Sequence, residues 1–146
     1  MSFRFPVQWV NRPNMDFRGF SGTVSSGQIS EGDPIVVMPS SKASKVKEII
    51  TFDHKKDRAV VGEPVSILLE DEIDVSRGDV LAMPKSRPEV ADQFSVMLVW
   101  LSENPMLPGR FYKIKIGTKT VGAVITEIKY VVNVNNYNKF PARFFV

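Results

Sequence analysis

The residues able to do chemistry are few and poorly grouped. His54 is the single histidine, set in Asp53-His54-Lys55-Lys56-Asp57. A histidine base needs an orienting acceptor and a substrate proton within reach, and a zinc site needs several ligands. One histidine in a polar run offers neither, so it reads as a surface-loop residue. With no cysteine in the chain, disulfides and thiolate metal sites are excluded. Glu70-Asp71-Glu72-Ile73-Asp74 gathers carboxylates of the kind that suit calcium or magnesium, but it lacks the calcium-loop spacing and central glycine. It reads as a solvated connection between strands. Gly117-Thr118-Lys119-Thr120 looks like the end of a phosphate-binding loop. That motif sets Gly and Lys adjacent, has an earlier glycine, and opens a helix. Without a helix N-terminus there is no dipole or amide cradle for phosphate, and the stretch reads as a hairpin turn. No catalytic residue, cofactor-binding residue or metal ligand is therefore expected in this chain.

The totals bound the elements that could position any site. The 146 residues allow one compact domain or two small ones. At 43% hydrophobic and 24% charged, the composition is globular rather than disordered. No apolar run approaches the roughly 18 residues of a membrane helix, and no basic segment with a following apolar region marks a secretory signal. A cytoplasmic, non-membrane protein is expected. The net charge is +3, with Lys42, Lys45, Lys47, Lys55, Lys56 and Arg58 crowded into one part of the chain. A polyanion-binding patch is one reading; the wet face of a strand and its loop is the plainer one.

Helical spacing is almost absent, while period-2 alternation recurs. Val65, Ile67 and Leu69 alternate, as do Phe94, Val96, Leu98 and Trp100. Val124, Ile128, Tyr130 and Val132 line one face of a long final strand. Turn signals punctuate these runs at Ser30-Glu31-Gly32-Asp33, Arg77-Gly78-Asp79 and Pro108-Gly109-Arg110. The pattern predicts an all-β protein of sandwich or barrel type. Two prolines bracket Pro84-Lys85-Ser86-Arg87-Pro88, and proline cannot continue a central strand. This places a first domain at 1–84, a linker at 85–88 and a second domain at 89–146. About six strand candidates precede the break, enough to close a small barrel. Only about three or four follow, in roughly 55 residues, which is short for an independent barrel. The second domain is thus expected either to pack on the first, to pair with another chain, or to be the front part of a longer domain, since an incomplete sheet leaves unpaired edges.

Three separated stretches carry a resemblance. "GFSGTVSSGQISEGDPIVVMP" (19–39), "VKEIITF" and "GEPVSILLEDEIDVSRGDVLA" are similar to the second domain of translation-factor GTPases, typified by elongation factor Tu. Gly27 and Gly32 permit backbone angles closed to side chains, and Asp33 and Asp79 can bond local amides. Arg77-Gly78-Asp79 would return the strand Val80-Leu81-Ala82 to the first strand. "RFPVQWVNRPNMDFRGFSGTV", "LEDEIDVSRGDVLA" and "VWLSENPMLPGRFYKIKIGTKTVGAVI" narrow this further. They closely resemble the GTP-binding large subunit of bacterial sulfate adenylyltransferase (ATP sulfurylase), where the first joins the GTPase domain to the second domain. Under this resemblance Asn11-Arg12-Pro13 is a shaped connector, with Phe5, Trp9, Phe17 and Phe20 anchoring it on the barrel.

The resemblance implies a translation-factor-type β-barrel followed by a second, incomplete barrel. It implies a parent complex that makes adenosine 5′-phosphosulfate from ATP and sulfate, driven by GTP hydrolysis. GTP and magnesium would sit in a GTPase domain whose motifs this chain lacks, so the chain alone should be inactive. Its partners would be that domain and a separate, smaller catalytic subunit, with nucleic acid not expected. Phe17, Arg18 and Arg110, each in or beside an idiosyncratic loop, are the candidate partner contacts. The rival readings are a translation-factor barrel that binds aminoacyl-tRNA and a free-standing barrel with its own metabolite pocket.

Overall fold

The computed structural model describes residues 1–14 and 17–142. The chain divides into two compact units. One is Met1–Asp92 with Ile116–Lys119, the other Gln93–Lys115 with Thr120–Val146.

Among its described residues the first unit holds nine strands: β1 (Arg4–Asn11), β2 (Gly19–Thr23), β3 (Gln28–Ser30), β4 (Pro34–Met38), β5 (Lys42–Ile50), β6 (Lys55–Lys56), β7 (Arg58–Val60), β8 (Pro64–Leu69) and β9 (Val80–Ala82). Six of them run in the order β4-β9-β1-β2-β8-β5, and pairing of β4 with β5 closes the ring. The first unit is thus an all-β barrel, within the sandwich-or-barrel class that the alternation and turns predict. Phe3, Phe5, Val7, Phe20, Ile67 and Leu81 fill its interior, each at most 2% exposed. Burying side chains of this size stabilises by about 1.5–3 kcal/mol each. As expected, β9 returns to the first strand, with Arg4, Phe5 and Pro6 opposite Ala82, Leu81 and Val80.

Local turn chemistry explains how strands this short are held in register. Asp33 Oδ2 accepts the Ser30 amide at 2.8 Å and Asp79 Oδ2 accepts the Ser76 amide at 2.9 Å. Gly32 turns between β3 and β4 at φ 82°, a conformation that penalises any Cβ.

Two bulges reverse what simple alternation predicts. In β1 the register shifts between Val7 and Trp9. After Phe5 and Val7 the inward position therefore passes to Val10, which packs on the core. Trp9 points outward and is 67% exposed, so it does not anchor the segment. Nor is Asn11 part of a separate connector, because β1 continues through Asn11, opposite Gly19. In β5 a shift between Val46 and Glu48 makes Lys47 the extra residue. The buried series thus runs Ser44, Val46, Ile49, where alternation alone would have called for residue 48. A bulge adds one unpaired residue and flips the side-chain phase beyond it.

The lysines lie on the wet side of this sheet, and most are partnered. Lys55 donates to Glu48 at 2.7 Å, Lys56 donates to Glu63 at 2.6 Å, and Lys42 lies 3.8 Å from Asp74. Glu63 also accepts the Val60 amide at 3.0 Å. The Lys56 hydrogen bond first, and then the Val60 amide, hold its carboxyl below the usual 4.5. A depressed carboxylate contributes stability that is full above its unfolded value and lost as pH falls through the folded one. Lys56→Gln is therefore expected to move the Glu63 titration upward toward 4.5, read by NMR of the side-chain carboxyl. An unmoved titration would show that the Lys56 bond is not formed in solution.

The second unit differs from the expectation. Phe94, Val96, Leu98 and Trp100 do not form a strand, and the long final strand is divided. Its strands are β10 (Phe111–Ile116) with β11 (Lys119–Val124), and β12 (Tyr130–Val132) with β13 (Lys139–Pro141). Alternation marks which side chains could share a face, but a strand also needs an edge to pair with. The hairpin reading of Gly117-Thr118 holds, since the turn falls between β10 and β11.

Candidate partner-contact surface

Two of the three candidate contacts lie together at the start of β2. Phe17 is half-buried, with its ring over Gly19, where a Cβ would stand only 3.0 Å from Phe17 Cε1. Arg18 lays its guanidinium over Phe20, 5.5 Å from the ring centroid, a favourable arrangement for a cation on an aromatic face. Its Nη2 is 4.0 Å from Asp74 Oδ1, a long pair to an exposed carboxylate. Arg18 Nε is buried without a hydrogen-bond partner among the described residues. Such a donor costs about 1–3 kcal/mol when left unmade, so the side chain is held in place by packing rather than by its polar bonds.

Beside Arg18 lies a cavity of about 140 Å³. Its walls are Arg18 just before β2, Phe20 on β2, Lys47 at the β5 bulge, Leu68 and Leu69 at the end of β8, and residues 70–72. Asp71 is fixed there, because its Oδ2 accepts the Ser44 hydroxyl at 2.8 Å and its amide donates to Ser44 Oγ at 3.2 Å. The carboxylate run is thus a wall of this cavity, and no metal-binding cluster occurs among the described residues. Sequence reasoning singled out Arg18 and residues 70–74 separately. It missed their meeting, which depends on β2, β5 and β8 being neighbours.

Arg110 belongs to the second unit. It is exposed just before β10 and makes no ion pair among the described residues. The preceding Gly109 turns at φ 79° and donates its amide to Ile125 O at 2.8 Å. This unit also contains a largely apolar hollow of about 440 Å³, walled by residues 105–108, Trp100, Ile128 and Val131. Trp100 is fixed there by its Nε1 bond to Asn104 O at 2.7 Å and an edge-on contact with Tyr112.

His54 is an exposed loop residue, as expected, with Nδ1 against Asp53 Oδ1. The His54 hydrogen bond, followed by one from Thr51, holds the Asp53 carboxyl below 3.8.

The family model of elongation factor Tu domain 2 matches residues 20–82. The model of the GTP-eEF1A C-terminal domain-like family matches residues 93–145. Among curated relatives, sulfate adenylyltransferase subunit 1 of Aliivibrio fischeri (strain MJ11) is 56% identical over 142 residues, covering 97% of this chain and 30% of that protein. The bifunctional enzyme NodQ of Rhizobium sp. (strain N33) is 47% identical over 137 residues, covering 94% of this chain and 21% of NodQ. The chain therefore spans between a fifth and a third of the length of these relatives. In fold it is similar to elongation factor SelB from Methanococcus maripaludis, at 17% identity and a TM-score of 0.70, covering all of this chain and 33% of that one. A bacterial selenocysteine-specific elongation factor, EF-Sec, aligns over 84% of this chain and 21% of that one, at 21% identity and a TM-score of 0.66. The chain is thus homologous, over nearly its whole length, to one stretch of sulfate adenylyltransferase subunit 1 and NodQ, and its own residues 20–82 match elongation factor Tu domain 2.

Proposed function

We propose that this chain is the non-catalytic barrel portion of a GTP-binding sulfate adenylyltransferase subunit in the cytoplasm. It couples GTP hydrolysis to the formation of adenosine 5′-phosphosulfate from ATP and sulfate. The observation that carries this reading is the 47–56% identity to subunit 1 and NodQ proteins over nearly the whole chain. GTP and magnesium then belong to the parent's GTPase domain, and adenylyl transfer belongs to the separate small subunit. The barrel at 1–84, the linker at 85–88 and the second barrel portion at 89–146 act as the relay. A relay works only through contacts that differ between nucleotide states. Phe17 and Arg18 on the first unit and Arg110 on the second are assigned to those contacts. Unpaired edges in the second unit also give it a route to self-association.

The ion pairs on the lysine face favour this reading over the binding of aminoacyl-tRNA. Lys42, Lys55 and Lys56 each have a carboxylate neighbour, which weakens a phosphate-binding stripe.

Calorimetric titration of the chain with its cognate catalytic subunit tests the proposal, with charged and uncharged tRNA as controls. Saturable binding to the subunit alone is expected. Binding to tRNA that weakens steeply with salt, with none to the subunit, would replace this reading with the translation-factor one.

A further inference from the structure

The stretch Gly117-Thr118-Lys119, which looks like part of a phosphate loop in sequence, spends its hydroxyl elsewhere. Thr118 Oγ1 donates to the Val7 carbonyl oxygen at 2.7 Å, across 111 positions of chain. That oxygen also accepts the Gly78 amide at 3.0 Å, while the Val7 amide donates to Asp79 O at 2.9 Å. A carbonyl has two lone pairs, and here both are taken. Three segments therefore meet at one peptide group: β1 beside its bulge, the turn that leads into β9, and the turn between β10 and β11.

The fit around this bond is close. A Cβ on Gly117 would stand 3.6 Å from Pro6 Cβ, so the turn rests against the proline ring. A Cβ on Gly78 would stand only 3.1 Å from Lys119 Cβ, so a side chain at position 78 would press the turn outward. Ile116–Lys119 accordingly belongs to the first unit, while the rest of β10 and β11 belongs to the second. The backbone thus joins the two units at three places: after Asp92, before Ile116 and after Lys119. Two of the three lie at this turn. Whatever holds the turn to β1 decides whether the barrel's movement is passed on at three points or at one.

We propose that Thr118 is a positioning residue. Its hydroxyl clips the turn to β1, and through this clip a movement of the barrel is handed to β10 and β11. The inference rests on the relay role proposed above.

The test uses the full-length subunit that contains this chain, assembled with its catalytic subunit, as wild type, Thr118→Val and Thr118→Ser. Valine keeps the branched shape and removes the hydroxyl, whereas serine keeps the hydroxyl. GTP hydrolysed and adenosine 5′-phosphosulfate formed are measured together, and the Val7 carbonyl carbon resonance of the chain is followed by NMR. Thr118→Val is expected to yield about fivefold less product per GTP, the factor that one neutral hydrogen bond is worth. GTP hydrolysis itself should be unchanged and the Val7 resonance moved. Thr118→Ser is expected to match wild type in all three. An unmoved Val7 resonance in Thr118→Val would show that the clip is not formed in solution. A moved resonance with an unchanged product yield would show that the clip carries no motion. Either result overturns the assignment while the relay role stands. Serine failing as badly as valine would also overturn it, since the hydroxyl would not be the cause. Product formation by wild type that does not depend on GTP would overturn the relay role, and this inference with it.

Discussion

Phe5→Ala is expected to remove about 3–5 kcal/mol from the unfolding free energy of the first unit. Phe5 is fully buried at 0% exposure. It lies on β1, a ring strand bonded to β9 on one side and β2 on the other, and its ring stacks beside Phe3 at 6.5 Å. Each ring strand is pinned on both sides, so the wall cannot move inward to fill the space left by a lost phenyl group. The cost is then transfer energy plus an uncollapsed cavity. Domains are stable by only about 5–15 kcal/mol in total, so the variant should unfold at far lower urea. Phe52→Ala, at a side chain 107% exposed, is expected to stay within about 0.5 kcal/mol of wild type. Urea denaturation followed by far-ultraviolet circular dichroism reads both. A loss below about 1 kcal/mol for Phe5→Ala would mean that the barrel interior repacks freely.

Gly22→Ala should be nearly as damaging, for a different reason. A Cβ at Gly22 would stand 2.5 Å from Pro6 O and 3.0 Å from Phe5 Cζ. The first of these is a backbone atom of the neighbouring strand and cannot swing aside. Gly22 is paired with Val7, at the edge of the β1 bulge, where the two backbones come close. The expected loss is about 3 kcal/mol, the upper range for overpacking. Gly32→Ala separates crowding from conformation. Its φ is 82°, but no atom lies within 4 Å of the added methyl, so it should cost only about 1–2 kcal/mol. Comparing the two denaturation midpoints decides the matter. A Gly22→Ala loss no greater than that of Gly32→Ala would show that β1 and β2 can part locally without harm.

What was legible in the sequence follows from how far each feature reaches along the chain. The turns at Asp33 and Asp79 could be read because a carboxylate three residues beyond an amide is a local arrangement. Hydrophobic alternation identified β8 for the same reason. The inward place of Val10 and the outward place of Trp9 could not be read, because a bulge depends on the partner strand. The run from Phe94 to Trp100 alternates as well as any strand, yet pairs with no strand among the described residues. At the candidate surface, Arg18 stood out through its unusual loop sequence. Its setting did not, since Lys47 and residues 70–72 reach it only through the strand order β2-β8-β5. Spatial closeness between residues about 30 and 50 positions apart leaves no mark in local periodicity.

The closed ring has a mechanical consequence. Sliding any one of its six strands would break two hydrogen-bond ladders together, so the barrel has no internal hinge. It can turn or shift only as a whole, in the rigid-body class of transitions. Torque applied at one side therefore arrives at the other as displacement, and little is absorbed as distortion in between. Such an object is a lever and not a spring.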